Sequence, residues 1–155
     1  MKQLTFKLII PFTVISFATI TKWWYALPVD APDTLFVGFP FPFACDGWHT
    51  SMSLQIFATE LFADLLTYFL FWCIVIFCID RFWIKIKTNK IVTIVLWTLT
   101  AIVVSGAYLI ASNPDNLFYV KRPFDIEIME TGYKLVLQQT ERPDYYKYHP
   151  EDKKE

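Results

Sequence analysis

The sequence predicts an all-α membrane protein with three transmembrane helices, a Pro/Phe-rich outer loop and a small C-terminal β-hairpin tail. Three observations lead to this prediction. Of the 155 residues, 55% are hydrophobic and 19% are charged, and the mean hydropathy is +0.37. Three apolar stretches approach the roughly 20 residues that a helix needs to cross a bilayer core about 30 Å thick. Prolines interrupt the chain between the first two stretches and forbid a continuous helix there.

The predicted membrane domain covers residues 1–111, with spans at about 6–26, 54–79 and 91–111. The third stretch contains no charged residue, and the second is uncharged over most of its length. The first stretch has lysines near both of its ends, where long side chains can reach the lipid headgroups. We therefore expect all three stretches to be membrane helices.

A second interpretation of the first stretch is a cleaved signal peptide, because Lys2 and Lys7 precede an apolar run. However, that run ends in Lys22-Trp23-Trp24-Tyr25 and not in the small residues of a cleavage site. Tryptophan and tyrosine are typical of the membrane–water interface. We therefore expect a retained helix.

The distribution of lysine and arginine predicts the orientation in a cell membrane, since these residues concentrate on the cytoplasmic side. The connection Asp80–Lys90 carries Arg81, Lys85, Lys87 and Lys90, whereas residues 27–53 carry no lysine or arginine. We expect a multi-pass protein with a cytoplasmic N-terminus and an extracytoplasmic C-terminus.

The outer loop, residues 27–53, combines four prolines with several phenylalanines and Trp48. Irregular backbone at membrane depth is tolerated only where protein or a wet cavity satisfies its polar groups. We therefore expect this loop to lie on the outer headgroup layer or between the ends of the helices. The alternative is a docking surface for another membrane protein.

The tail, residues 112–155, is predicted to contain a β-hairpin at about 124–138. Apolar and acidic residues alternate from Phe124 onward, and Glu130-Thr131-Gly132 supplies turn chemistry. Two short strands cannot form a stable core by themselves, so the hairpin must rest on the outer loop, the membrane surface or another chain. The charged end at about 143–155 is predicted to be disordered.

Glu60 and Asp64 are the acids that are costly to place in a membrane, and such acids are candidates for function. They are four residues apart and therefore share one helix face. Lys22 lies near the outer end of the first predicted span, at a similar level. We expect a structural ion pair between Lys22 and Glu60 or Asp64; the alternatives are solvated interfacial acids and a proton or ion site.

Cys45, Asp46 and His49 form a weak candidate metal site in the outer loop. Thiolate and imidazole bind zinc well, but a structural zinc site needs four ligands at recognisable spacing. We therefore expect a polar turn, with no metal and no cofactor. Cys73 and Cys78 lie in the second apolar stretch and are interpreted as small buried apolar residues.

The sequence contains none of the common enzyme signatures, such as HExxH, GxSxG, a phosphate-binding glycine loop or CxxC. Its net charge of −1 provides no basic surface for nucleic acid. We therefore expect a non-catalytic accessory or structural subunit that binds another membrane or envelope protein, or itself. The alternative is a membrane sensor, an immunity-type protein or an ion- or proton-linked protein that uses Glu60 and Asp64 or the group of Cys45 and His49.

The motif GFPFPF at Gly38–Phe43 precedes an aromatic-rich stretch that contains Asp64 and Tyr68. This combination resembles small uncharacterised bacterial multi-span membrane proteins with an aromatic GFPF-type outer loop. The resemblance covers only this part of the chain. It implies a bacterial cytoplasmic membrane and no particular activity.

Overall fold

The computed structural model describes residues 2–29, 31–50, 52–135 and 143–150. Within these residues, three helices are joined to a six-stranded mixed sheet. This mixed α/β fold contradicts the prediction of an all-α membrane protein with three spanning helices.

The first helix, α1, consists of the turn Lys2–Leu4, the π-helical segment Thr5–Ile9 and the α-helix Ile10–Thr19. Its apolar part extends about 22 Å at 1.5 Å per residue, less than the thickness of a bilayer core. The predicted span at about 6–26 is therefore wrong. The chain becomes a strand at Ile20, where β-branched and aromatic residues favour extended backbone.

The second helix, α2, covers Ala58–Cys78 and is continued by the π-helical turn Ile79–Trp83. The third helix, α3, covers Lys90–Ala111 and begins at Asn89, whose side-chain Oδ1 accepts a hydrogen bond from the Ile91 N–H. Among the described residues, these are the two helices whose length and composition would allow them to cross a membrane. A core helix of a soluble protein can meet the same criterion.

The three helices pack along their inner faces, where Leu8 and Ile9 of α1 and Ile76 of α2 are buried. Phe12 stacks on Trp72 with ring centroids 4.7 Å apart. The outward faces of α2 and α3 are uncovered. Large apolar side chains exposed there include Leu66, Leu70, Ile74, Ile94, Ile102 and Leu109.

The sheet is built from both ends of the chain. Its strands are β1 (Ile20–Pro28), β2 (Thr34–Val37), β3 (Ala44–Asp46), β4 (Leu54–Phe57), β5 (Leu117–Tyr119) and β6 (Ile126–Leu135). Within the described residues their order is β5-β4-β3-β2-β1-β6. Neighbours are antiparallel except for β4 and β5, which are parallel.

The predicted hairpin at about 124–138 is wrong, because β6 runs through the predicted turn as one continuous strand paired with β1. Gly132 lies opposite Trp23 in this pairing. A Cβ atom at Gly132 would lie 2.6 Å from Nε1 of Trp23, so the glycine makes room for the indole ring and forms no turn. Residues 136–138 of the predicted hairpin lie outside the described residues.

The core of the sheet lies on the face crossed by the connection from β5 to β6. Ala26, Phe36, Cys45 and Phe57 are buried on this face. Phe124, in the connection, brings its ring centroid within 6.3 Å of Phe36 and 5.8 Å of Phe57. The C-terminal part of the chain therefore completes a core that the N-terminal strands begin.

Part of the end predicted to be disordered, residues 143–150, contacts the opposite face of the sheet. The Tyr148 ring lies 5.5 Å from the ring of Tyr25. The side chains of Lys147 and Tyr148 both donate to the carboxylate of Glu130. Residues 151–155 lie outside the described residues.

Candidate functional site

Asp64 lies where α2 meets the sheet, and its side chain is fully buried. It accepts two hydrogen bonds from the loop between β2 and β3. The Phe39 N–H donates to Oδ2 at 2.5 Å, and the Phe41 N–H donates to Oδ1 at 2.9 Å. One carboxylate therefore joins the second turn of a helix to a loop that is 23–25 residues away in the sequence.

The sequence of this loop, Gly38–Phe43, explains why a carboxylate fits there. Pro40 and Pro42 have no N–H, so Phe39 and Phe41 supply the backbone donors of residues 39–42. A buried N–H without an acceptor costs about 1–3 kcal/mol. The two oxygens of one carboxylate satisfy both donors at once.

Gly38 fixes the start of the loop against β1. Its φ of +149° is a backbone conformation that other residues rarely adopt, and a Cβ atom there would lie 1.9 Å from the Phe41 carbonyl oxygen. The Gly38 N–H donates to the Lys22 carbonyl at 2.9 Å, and Nε1 of Trp24 donates to the Gly38 carbonyl at 2.9 Å. The loop is thus bound on one side by β1 and on the other by α2.

Two aromatic side chains of the loop pack inward against the ends of the helices and the sheet. The ring of Phe39 lies 6.2 Å from that of Tyr68 and 6.0 Å from that of Tyr133. The ring of Phe43 stacks on Phe17 of α1 at 5.3 Å. The predicted outer loop 27–53 is therefore largely part of the sheet, since it contains β2 and β3, and only its segment Gly38–Phe43 packs against the helix ends.

The structure does not bring Lys22 to either acid. Its Nζ lies 3.6 Å from the centroid of the Trp24 ring, and within the described residues no ion pair joins it to Glu60 or Asp64. Lys22 belongs to a strand and not to a helix end, and the carboxylate of Asp64 is engaged by backbone amides. The Oε2 atom of Glu60 is buried and has no hydrogen-bond partner in the described part of the chain.

Cys45, Asp46 and His49 do not converge on one point. Cys45 is buried in the core of the sheet, whereas Asp46 and His49 are exposed. Burial, followed by the nearby Asp46 charge, raises the pKa of the Cys45 thiol to about 12, so it stays protonated and is a poor metal ligand. In the residues that the structure describes, no three His, Cys, Asp or Glu side chains form a potential metal site. Cys73 is half-buried, and Cys78, predicted to be buried, is exposed.

Sequence reasoning singles out Asp64 but misses its partners. The feature of the sequence that could have indicated these partners is the alternation of phenylalanine and proline at 39–43, which leaves backbone donors with a defined spacing. Nothing in the linear sequence indicates that these donors meet a helix that begins at Ala58. The contact depends on the turn of the chain from β4 directly into α2.

Comparison with protein families, with curated proteins and with solved structures finds no match for this chain. A functional proposal therefore depends on the junction around Asp64 and on the surfaces of the helices and the sheet.

Proposed function

We propose that this chain is a non-catalytic integral membrane protein that holds its sheet at the outer face of a cell membrane and serves as an accessory subunit for another membrane or envelope protein. The observation that carries the proposal is the outward apolar surface of α2 and α3. Ile74 is 62% exposed and Ile102 is 64% exposed, each among other exposed apolar side chains. A continuous apolar surface of this kind is unfavourable in water and favourable in lipid.

The connectivity of the elements supports one orientation. The three passages between helix and sheet, at Thr19–Ile20, Phe57–Ala58 and Ala111–Leu117, lie at the sheet end of the helices. The connection between α2 and α3 lies at the opposite end. This connection and its flanks carry the basic residues Arg81, Lys85, Lys87 and Lys90, which favour the cytoplasmic side.

The edge of β6 that faces away from β1 supports a partner that adds a strand. This strand has ten residues and pairs with β1 on one side. Within the described residues, no strand pairs with its other side. Over residues 126–134, the backbone N–H and C=O groups that face away from β1 are a template for a strand from another chain.

Labelling with an impermeant thiol reagent tests the membrane orientation. In a cysteine-free chain, Val29→Cys places a thiol at the far end of β1, and Lys85→Cys places one in the connection between α2 and α3. We expect intact cells to label the first variant and to label the second only after permeabilisation. Equal labelling of both variants in intact cells, or release of the chain from washed membranes, would contradict the proposal.

Site-specific photocrosslinking tests the accessory role. A photoreactive side chain at Ile128, on β6, should give one defined cross-linked product in intact membranes. The same side chain at Val29 serves as the control, since it lies outside that edge. Products of equal yield from both positions, or none from Ile128 at any expression level, would argue against a partner at this edge.

One observation favours a second candidate function, an ion- or proton-linked protein. Glu60 keeps a buried carboxylate oxygen without a hydrogen-bond partner among the described residues, as a proton or cation site would require. Proton flux across vesicles that contain the chain, abolished by Glu60→Gln, would support this candidate. Flux equal to that of empty vesicles would exclude it.

A further inference from the structure

A cavity of about 260 Å³ opens beside the loop that Asp64 binds, where the helices meet the sheet. Ser16 of α1, Thr67 of α2, Phe39 of the loop and Tyr133 of β6 all contribute to its walls. The position of Phe39 is fixed because its N–H donates to Asp64. The same contact that joins loop to helix therefore also shapes this cavity.

Four polar side chains in the walls are already bonded within the protein. Nε1 of Trp72 donates to Ser16 Oγ at 2.9 Å, and this oxygen donates to a carbonyl one turn earlier in α1 at 2.6 Å. The hydroxyl of Thr67 donates to a carbonyl one turn earlier in α2 at 2.9 Å. The Tyr68 hydroxyl donates to the Ile20 carbonyl at 2.5 Å. Thr21 and Tyr133 also line the cavity, but nearly all of its lining surface is apolar, so the cavity suits an apolar occupant.

The side chains that border the cavity continue onto the apolar surface of the helices. Ile20, Phe71 and Tyr133 line it and are also exposed. Leu70 and Ile74 extend the exposed apolar surface along α2. In the orientation proposed above, this opening lies at the boundary between headgroups and acyl chains on the sheet side of the bilayer.

We propose that this cavity binds one acyl chain of a bilayer phospholipid. The inference rests on the proposed membrane location. Its volume of about 260 Å³ lies below the roughly 300–1,000 Å³ of pockets for drug-sized ligands, so it holds a segment of the acyl chain while the rest of the lipid stays in the bilayer. Its opening is continuous with the lipid-facing surface, and an acyl chain can therefore enter from the bilayer without crossing water.

Photocrosslinking with a modified lipid tests this site. The full chain is reconstituted into phosphatidylcholine vesicles in which a fraction of the lipid carries a diazirine on one acyl chain. Thr67→Phe fills the cavity. Thr98→Phe is the matched control, because Thr98 has the same type of hydroxyl-to-carbonyl bond, at 3.0 Å, on the exposed face of α3 and does not line the cavity.

We expect ultraviolet light to attach the lipid to Ser16 in the unmodified chain and in Thr98→Phe, and this product to fall to background in Thr67→Phe. A second measurement needs no variant. Moving the diazirine from near the headgroup toward the end of the acyl chain should move the product from Tyr133 toward Ser16.

Labelling at Ile102 separates failure of this site from failure of the membrane proposal. If the lipid is attached to Ile102 but not to Ser16 for any diazirine position, the acyl-chain site is overturned and the membrane location is still supported. Absence of products at both residues, with a chain that does not float with the vesicles, would overturn the membrane location itself. An unchanged yield at Ser16 in folded Thr67→Phe would also overturn the site.

Discussion

The sheet and the helices place similar apolar side chains in opposite environments. In the sheet, Phe36 and Phe57 are fully buried and pack beneath Phe124. In α2 and α3, large aliphatic side chains such as Ile74 and Ile102 point away from the protein. The sheet thus has the apolar core expected of a domain in water, while the helices have the surface expected of a segment in lipid.

The two regions meet at the junction where α2 follows β4. Asp64 lies at that point and binds two backbone donors of the loop Gly38–Phe43. Glu60 lies one turn closer to the sheet, and its buried oxygen has no partner in the described part of the chain. Two acids on one helix face therefore have different roles, and changing each in turn tests the comparison.

The largest effect is expected from Asp64→Ala, which removes the contact between the two regions. Each hydrogen bond to a charged group contributes about 1.5–3 kcal/mol, so loss of both should lower the free energy of unfolding by about 3–6 kcal/mol. Chemical denaturation in detergent micelles, followed by tryptophan fluorescence, measures this change.

Glu60→Gln is the control for Asp64→Ala, because it removes a charge from the same helix face without removing a hydrogen bond described in the structure. We expect its free energy of unfolding to stay within about 0.5 kcal/mol of the unmodified chain, or to rise. Equal losses in both variants would show that the bonds from Phe39 and Phe41 do not distinguish the acids.

The second prediction compares the outward face of α3 with the end of β1 by placing a lysine on each. Ile102→Lys places a charge on the outward face of α3, whereas Val29→Lys places one at the end of β1, and the native side chains are 64% and 62% exposed. In lipid, the lysine in the helix should cost about 2.5–3.5 kcal/mol. In water, the lysine on the sheet should cost almost nothing.

Alkaline extraction of membranes measures the effect of each lysine, since the fraction of the chain that resists extraction is the fraction inserted in the membrane. The result that would break the comparison is equal extraction of Ile102→Lys and Val29→Lys. In that case, the helix surface would face water or another protein and not lipid.

The third effect concerns the loop alone. Gly38→Ala forces a side chain into a conformation with positive φ, which costs about 1–3 kcal/mol before the clash with the Phe41 carbonyl is counted. Gly106→Ala is the control, since a Cβ atom there meets nothing within 4 Å and alanine favours a helix. Thermal unfolding in detergent should show a lower midpoint for the first variant and an equal or higher midpoint for the second.

The smallest effect concerns the segment 143–150 on the opposite face of the sheet. Hydrogen bonds from Lys147 and then Tyr148 lower the pKa of the Glu130 carboxylate. The stabilisation that this contact supplies is therefore complete above the ordinary glutamate pKa of about 4.3 and is lost as the pH falls through the lowered pKa.

Hydrogen exchange of residues 143–150 as a function of pH, corrected for the intrinsic exchange rate, measures this release. Glu130→Gln should remove the step that occurs below the ordinary glutamate pKa, whereas Glu127→Gln should retain it; the contact of His149 with Asp33 in the same segment is unchanged in both variants. A step of equal size in all three chains would assign the pH dependence to another group.

The long apolar stretches made α2 and α3 predictable, since each is too long and too apolar for a typical strand. The strand Ile20–Pro28 was not predictable, because its aromatic residues are as typical of a membrane interface as of a strand. Its conformation is decided by pairing with β2 and β6, and β6 lies far away in the sequence. Local patterns do not contain that information.

Of the candidate site, the acid Asp64 was predictable from the sequence and its hydrogen-bond partners were not. Asp64 stands out because an acid in an apolar stretch is costly. Its expected partner, Lys22, was the nearest charge of opposite sign in the predicted helix arrangement. The observed partners are backbone amides, which have no signature of their own in a sequence except where proline removes their neighbours, as in the loop Gly38–Phe43.

The location of β1 between β2 and β6 has a consequence for how the protein is made. At a ribosomal rate of 5–20 residues per second, β6 emerges about a hundred residues after β1, a delay of about 5–20 s. During this delay, one edge of β1 is open to pairing with other nascent strands. That edge closes only after both long helices have been synthesised and the following segment has reached the side of the sheet. A chain that stops before Ile126 therefore keeps this edge of β1 without its native partner strand.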